Sequence, residues 1–180
     1  PVFNSHAIET SLHKIPGLAE NFVYFNDDFY VRKPVPPSVF INHKDQCLLH
    51  FNTSDLGNHW VKFLHDSTAV PLKLDNIIPE HVPYSLTRSM LQEAEKTLPK
   101  KWQSTSNCKL RYECKDEIAP IVAAMLIALS NGKAVKAPPG INCRYFAGVP
   151  SENNDLVKKL HFVCINSLDK DREGLRRGLQ

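Results

Sequence analysis

The stretch from Ile118 to Leu129 is apolar throughout, and it limits the folds open to this chain more than any other feature. It falls well short of the roughly 20 residues that a membrane-spanning helix needs. It therefore reads as a core helix that neighbouring layers must cover on every side. Pro120 sits in its first turn, where a missing amide is harmless, and Asn131 with Gly132 supplies the stop. A chain of 180 residues, 42% of them hydrophobic, can bury such a helix within one domain.

Short strand patterns surround it. Phe22, Val23, Tyr24 and Phe25 form an unbroken run of the kind covered on both faces, and it stops abruptly at Asn26, Asp27 and Asp28. Cys47 to Phe51, Asn142 to Phe146 and His161 to Ile165 read as further strands. Behind a cap at Asn4 or Ser5, the apolar residues Ile8, Leu12 and Ile15 recur at helical spacing until Pro16 and Gly17 end the helix, which puts His6, Glu9 and His13 on the opposite face. A second amphipathic helix is expected from a cap at Ser85 through Leu86, Met90, Leu91, Ala94 and Leu98, closed by Pro99. Between Arg32 and Ser38 three prolines make a surface loop, and Trp60, Phe63 and Leu64 suit one face of a short helix within Gly57 to Asp66. Alternating strands and helices imply an α/β architecture of three layers, a mostly parallel sheet with flanking helices.

A net charge of +3, with no basic stripe, argues against nucleic acid as a partner. The five cysteines lack the close paired spacing of a zinc site and read as buried reduced thiols, although Cys108 and Cys114 are near enough to bridge in an oxidising compartment. The uneven count favours a reducing one.

In open α/β sheets ligands bind beyond the carboxyl ends of the strands. Two such exits stand out: Asn26, Asp27 and Asp28 after the first strand, and Asn166 with Asp169 after the last. If those strands run parallel, both sets face one crevice. Adjacent carboxylates there suit a hard divalent cation bridging pyrophosphate oxygens, with Mg2+ the natural candidate and Mn2+ the alternative. The same Asn-Asp-Asp is also good turn chemistry. His81, in a loop with Pro83, has the titration range of a general base, and Arg88 carries a planar fork that matches phosphate.

These residues fall in a longer pattern. Asn4-Ser5-His6-Ala7-Ile8-Glu9, then Leu12-His13-Lys14-Ile15-Pro16-Gly17-Leu18, then Phe22 to Phe29 resemble the second signature region of the Stealth family of sugar-phosphate transferases. His81-Val82-Pro83-Tyr84 with Arg88 resembles the third region, and Phe162-Val163-Cys164-Ile165-Asn166 the fourth, in the same order. The fourth departs from the family's pattern at Ser167, where an Asp is usual, with Asp169 two residues on.

The resemblance implies a nucleotide-sugar transferase-like fold, with residues 1–180 forming a single partial catalytic domain. The family's first region, an N-terminal strand and loop associated with binding the nucleotide sugar, has no counterpart before Pro1, so the fold is expected to lack that strand unit. It implies transfer of a hexose-1-phosphate from a UDP-sugar to a hydroxyl of an acceptor glycan, releasing UMP and leaving a phosphodiester, in capsular or cell-surface polysaccharide synthesis. Asp27 and Asp28 would hold the metal, His81 would act as base, and Asn4, His6, Glu9, Asn26, Arg88 and Asn166 would contact substrate. The family includes bacterial capsule enzymes and a Golgi enzyme, so the bacterial cytoplasm, at the inner face of the membrane, is the first expectation and the Golgi lumen the second. Arg172, Arg176 and Arg177 could approach an anionic membrane or simply end a solvated helix. The rival readings are a conventional metal-dependent glycosyltransferase releasing UDP and a non-catalytic glycan-binding domain.

Overall fold

The computed structural model describes residues 2–53, 77–110, 113–138, 141, 143–146 and 155–165. The Gly57 to Asp66 helix, the exit at Asn166 and Asp169, and the arginine-rich tail lie outside the described residues.

The apolar run forms a helix, α4 (Pro120–Ser130), with Pro120 in the first turn and Gly132 just beyond its end at φ 68°. From Pro120 to Ala128 every residue of it is buried. Helix α2 (Arg88–Thr97) packs along it, offering Met90, Leu91 and Ala94. Its cap is Thr87, whose hydroxyl accepts from the Met90 amide at 3.0 Å, and not Ser85. Ser85 and the wholly buried Leu86 belong instead to strand β6 (Tyr84–Thr87), because β1 (Asn21–Tyr24) pairs with them antiparallel, from Asn21↔Thr87 to Tyr24↔Tyr84. Tertiary strand pairing there overrides a helical spacing that is locally sound. Pro99 closes α2 and opens α3 (Pro99–Asn107), since a proline lacking its amide serves equally at a helix start.

The amino-terminal segment is turned over relative to its apolar spacing. Helix α1 (Ser5–Glu9) begins at Asn4, whose Oδ1 accepts from the His6 amide at 3.0 Å. His6 and Glu9 face inward, and so does His13 in the following 3-10 turn Leu12–Lys14, while Ile8 and Ile15 are exposed by 54% and 47%. The inversion stands because the interior offers partners. Glu117 Oε1 receives His6 Nδ1 at 2.8 Å and Asn4 Nδ2 at 3.1 Å, and Glu95 Oε2 lies 2.8 Å from His13 Nε2. A buried polar group so paired avoids the desolvation penalty that would otherwise expel it. Trp102 of α3 fills the space beneath, 2% exposed, and its Nε1 donates to the Thr10 carbonyl at 3.1 Å.

The remaining strands are short. They are β2 (Phe29–Val31), β3 (Cys47–Leu49), β4 (Phe51–Thr53), β5 (Ile77–Pro79), β7 (Ala134–Lys136), β8 (Cys143–Phe146) and β9 (Phe162–Ile165), with helix α5 (Asp155–Lys159) preceding β9. The architecture is α/β as expected, but strand pairing is mixed rather than mostly parallel. Pairs β3–β7 and β8–β9 run parallel; β1–β6, β2–β9 and β4–β5 run antiparallel. The first and last strands are not parallel neighbours: β9 lies between β2 and β8. Among the described residues no helix is long and apolar enough to cross a membrane.

Cys108 and Cys114 are joined by a disulfide, their Cα atoms 6.0 Å apart. The bridged loop carries Leu110, whose carbonyl accepts from Asn4 Nδ2 at 3.3 Å. A loop this short constrains the unfolded chain by about 2 kcal/mol. Thiol reductant is therefore expected to lower the thermal midpoint by about 5 °C in calorimetry, and an unchanged midpoint after verified reduction would remove the bridge from the list of stabilising features.

Candidate active site

The turn between β1 and β2 is Asn26-Asp27-Asp28, closed by the Phe29 amide on the Asn26 carbonyl at 3.3 Å. It is thus a turn, as its composition suits, and it carries Asp28 to a corner shared with His81. Each residue at this corner is set by an apolar neighbour packed below. Phe29, Val82 and Phe162 share one cluster with Phe40 and Ile141, and they stand beside Asp28, His81 and, two positions along the same strand face, Cys164. Register completes the placement. Phe29 faces Cys164 across the β2–β9 ladder, and the Ile165 amide bonds the Asp28 carbonyl at 2.9 Å.

Asp28 Oδ2 consequently receives the Cys164 thiol at 3.1 Å and lies 3.5 Å from His81 Nε2. The other oxygen, Oδ1, is buried and has no hydrogen-bond partner among the described residues. The Phe29 ring holds the imidazole, its centroid 4.9 Å away. Burial grades outward from Cys164, fully enclosed, through Asp28, with 20% of its side chain exposed, to His81 with 41%. Burial and then the Asp28 carboxylate push the Cys164 thiol well up; burial, followed by the Glu80 charge, raises the Cys143 thiol to about 12. Tyr84, half-buried, is raised by burial and then by the charges of Glu9, Tyr24, Asp28 and Cys164.

The other predicted residues divide. Asn26 supplies the turn. Asp27 is exposed, and its carboxylate is not part of the group that Asp28, His81 and Cys164 form. Asn4 and His6 are fastened to Glu117, so they hold α1 in place. Arg88 lies at the far end of the β1–β6 ladder, about 10 Å of strand away, in a loose ion pair with Glu20 at 3.5 Å. Asn166 is outside the described residues. Sequence reasoning overlooked Glu117 and Cys164. Glu117 carries no signal beyond a carboxylate abutting the apolar helix, whereas Cys164 could have been found from strand periodicity, which sets it on the face of Phe162.

A carboxylate with one oxygen unpartnered among the described residues, beside an imidazole at a solvent-facing sheet corner, has the chemistry to exchange a proton or charge with a polar group. Residues 1–48 match Stealth protein CR2, conserved region 2, and residues 80–118 match Stealth protein CR3, conserved region 3. The chain belongs to the Stealth family. Among curated relatives it is similar to an exopolysaccharide phosphotransferase of Streptomyces coelicolor, 31% identical over 147 residues, covering 74% of this chain and 27% of the relative. A capsular polysaccharide phosphotransferase of Neisseria meningitidis serogroup B is 30% identical over 191 residues, covering 92% and 50%. The capsular polysaccharide phosphotransferase SacB of N. meningitidis serogroup A is 29% identical over 187 residues, covering 96% and 32%. The chain therefore spans between about a quarter and a half of the length of these relatives.

Proposed function

We propose that this chain is part of the catalytic region of a sugar-phosphate transferase that moves a hexose-1-phosphate from a UDP-sugar to a glycan hydroxyl in polysaccharide synthesis. The observation that carries the reading is the approach of His81 Nε2 to Asp28 Oδ2 at 3.5 Å, with Oδ1 buried and unpartnered among the described residues, in a chain whose relatives bear the name of polysaccharide phosphotransferases.

In this mechanism His81 accepts the proton of the attacking hydroxyl, and Asp28 Oδ2 steadies the imidazolium that results. The oxygen attacks the sugar-linked phosphorus, the sugar–phosphate bond stays intact, and the bond to the uridine phosphate breaks to release UMP. Such a transfer depends chiefly on positioning and charge. The orphaned Oδ1 fits a hard cation, and with Asp27 beside it Asp28 would hold Mg2+, which when bound neutralises charge on diphosphate oxygens. Glu9, on the inward face of α1, remains a candidate for acceptor contact. Arg88 and Asn166 remain candidates for phosphate or sugar contact, Arg88 only after leaving Glu20. The Cys108–Cys114 bridge favours an oxidising compartment, and with it the luminal location, over a reducing cytoplasm.

Product identity tests the proposal. The full-length protein, given Mg2+, UDP-sugars and an acceptor glycan, is expected to release UMP; UDP in its place would make it a conventional glycosyltransferase, and glycan binding without any nucleotide product would make it a binding domain. His81→Ala is expected to cut kcat by roughly 100-fold with KM for the donor within about threefold. An effect confined to KM would reassign His81 to binding.

A further inference from the structure

Asp28, His81 and Cys164 are the group of potential metal ligands that the described residues bring together, with their donor atoms all within 4.8 Å of one another. We propose that these three side chains form a binding site for a thiophilic divalent cation of the Zn2+ class, which when filled occupies His81 Nε2 and Asp28 Oδ2 and so excludes the proton transfer proposed above for that pair.

Donor type is the first argument. One sulfur, one imidazole nitrogen and one carboxylate oxygen form a set suited to zinc and unsuited to Mg2+, which takes oxygen and resists losing its water. Spacing is the second. Ligands about 2.0 to 2.3 Å from a tetrahedral ion stand roughly 3.3 to 3.8 Å from each other. Oδ2 of Asp28 is 3.1 Å from Cys164 Sγ and 3.5 Å from His81 Nε2, and Sγ and Nε2 lie within 4.8 Å of each other, so a tetrahedral ion would need the exposed imidazole to turn toward Cys164 by about 1 Å. The third argument is access. Cys164 is enclosed, while His81 is exposed by 41% and lets water reach a fourth position.

The supports are rigid where rigidity matters. Cys164 sits in the middle of a sheet between β2 and β8, and Phe29 braces the imidazole. On binding, the Cys164 thiol loses its proton to solvent and the sulfur–metal bond replaces its hydrogen bond to Asp28. Cys143 is a neighbour, its thiol donating to the His81 carbonyl at 3.4 Å, but it is not one of the three.

The test needs no turnover, so it stands apart from the transferase reading. The full-length protein, titrated with Co2+ alone, is expected to develop a thiolate-to-cobalt charge-transfer band that saturates at one ion per chain and is displaced by Zn2+. Cys164→Ser should abolish the band and weaken Zn2+ by roughly 100-fold in calorimetric titration, and Cys143→Ser should retain both. Because His81 is exposed, His81→Ala should fold normally and also weaken Zn2+ by roughly 100-fold. A wild-type protein without the band, or one that keeps it in Cys164→Ser and loses it in Cys143→Ser, overturns the assignment; so does unchanged Zn2+ affinity in His81→Ala.

Discussion

Asp28→Ala is expected to lower the transfer rate by a factor on the order of 1,000 or more while leaving the protein folded. The carboxylate does two things that no neighbour can take over. Its Oδ2 faces His81, and its Oδ1 is the orphaned oxygen of the corner. Without it the imidazole loses its counter-charge, and the proposed cation would lose an anionic ligand. The fold should survive, because among the described residues the side-chain bond to Asp28 from the interior is the Cys164 thiol at 3.1 Å, worth about 1 kcal/mol. The turn itself is closed by backbone, the Phe29 amide on Asn26 and the Ile165 amide on the Asp28 carbonyl. Circular dichroism and initial rates on the same preparation check both halves. Asp27→Ala, at an exposed side chain outside the cluster, should lose less; equal losses at both positions would restore the symmetric pair that the sequence suggests.

The largest stability effect is expected at Trp102, where replacement by alanine should cost about 3 to 5 kcal/mol, a large part of the total for a domain of ordinary stability. The indole is 2% exposed, lies edge-on to His13 with ring centroids 5.9 Å apart, and caps the Thr10 carbonyl. Its loss opens a cavity and strands a buried acceptor one residue after Glu9. The thermal midpoint should fall by about 10 °C or more. Ile8→Ala provides the comparison: its side chain is apolar too, but it is 54% exposed, so a change within about 0.5 kcal/mol is expected. Equal losses at the two positions would mean that α1 packs by its apolar face after all.

That contrast shows how far the sequence could be read. Residues whose burial follows from composition alone were legible. Pro120 and Gly132 bound the apolar helix as their backbone preferences require, and β1, β8 and β9 fall where their apolar runs lie. The face of α1 was not legible, because periodicity assumes that apolar residues turn inward, whereas Glu117, more than a hundred residues away, makes the polar face the better one to bury. Ser85 misled for a related reason, since its fate depends on the β1 ladder. At the site, Asp28 and His81 are brought together although they are 53 residues apart, but the route differs from two parallel strand exits facing one crevice. Asp28 reaches the corner through a turn into β2, whose partner β9 runs antiparallel to it. Arg88 stood near His81 in the chain, yet the extended β6 carries it to the opposite end.

The central claim is that Asp28 and His81 work as one unit, and a double-mutant cycle on UMP release measures that directly. If they do, Asp28→Asn and His81→Ala each lower the rate by about 100-fold or more, and the double variant is scarcely slower than the worse single one. Losses that multiply across the cycle would show two residues acting independently, and the account of the corner as a single catalytic device would be contradicted.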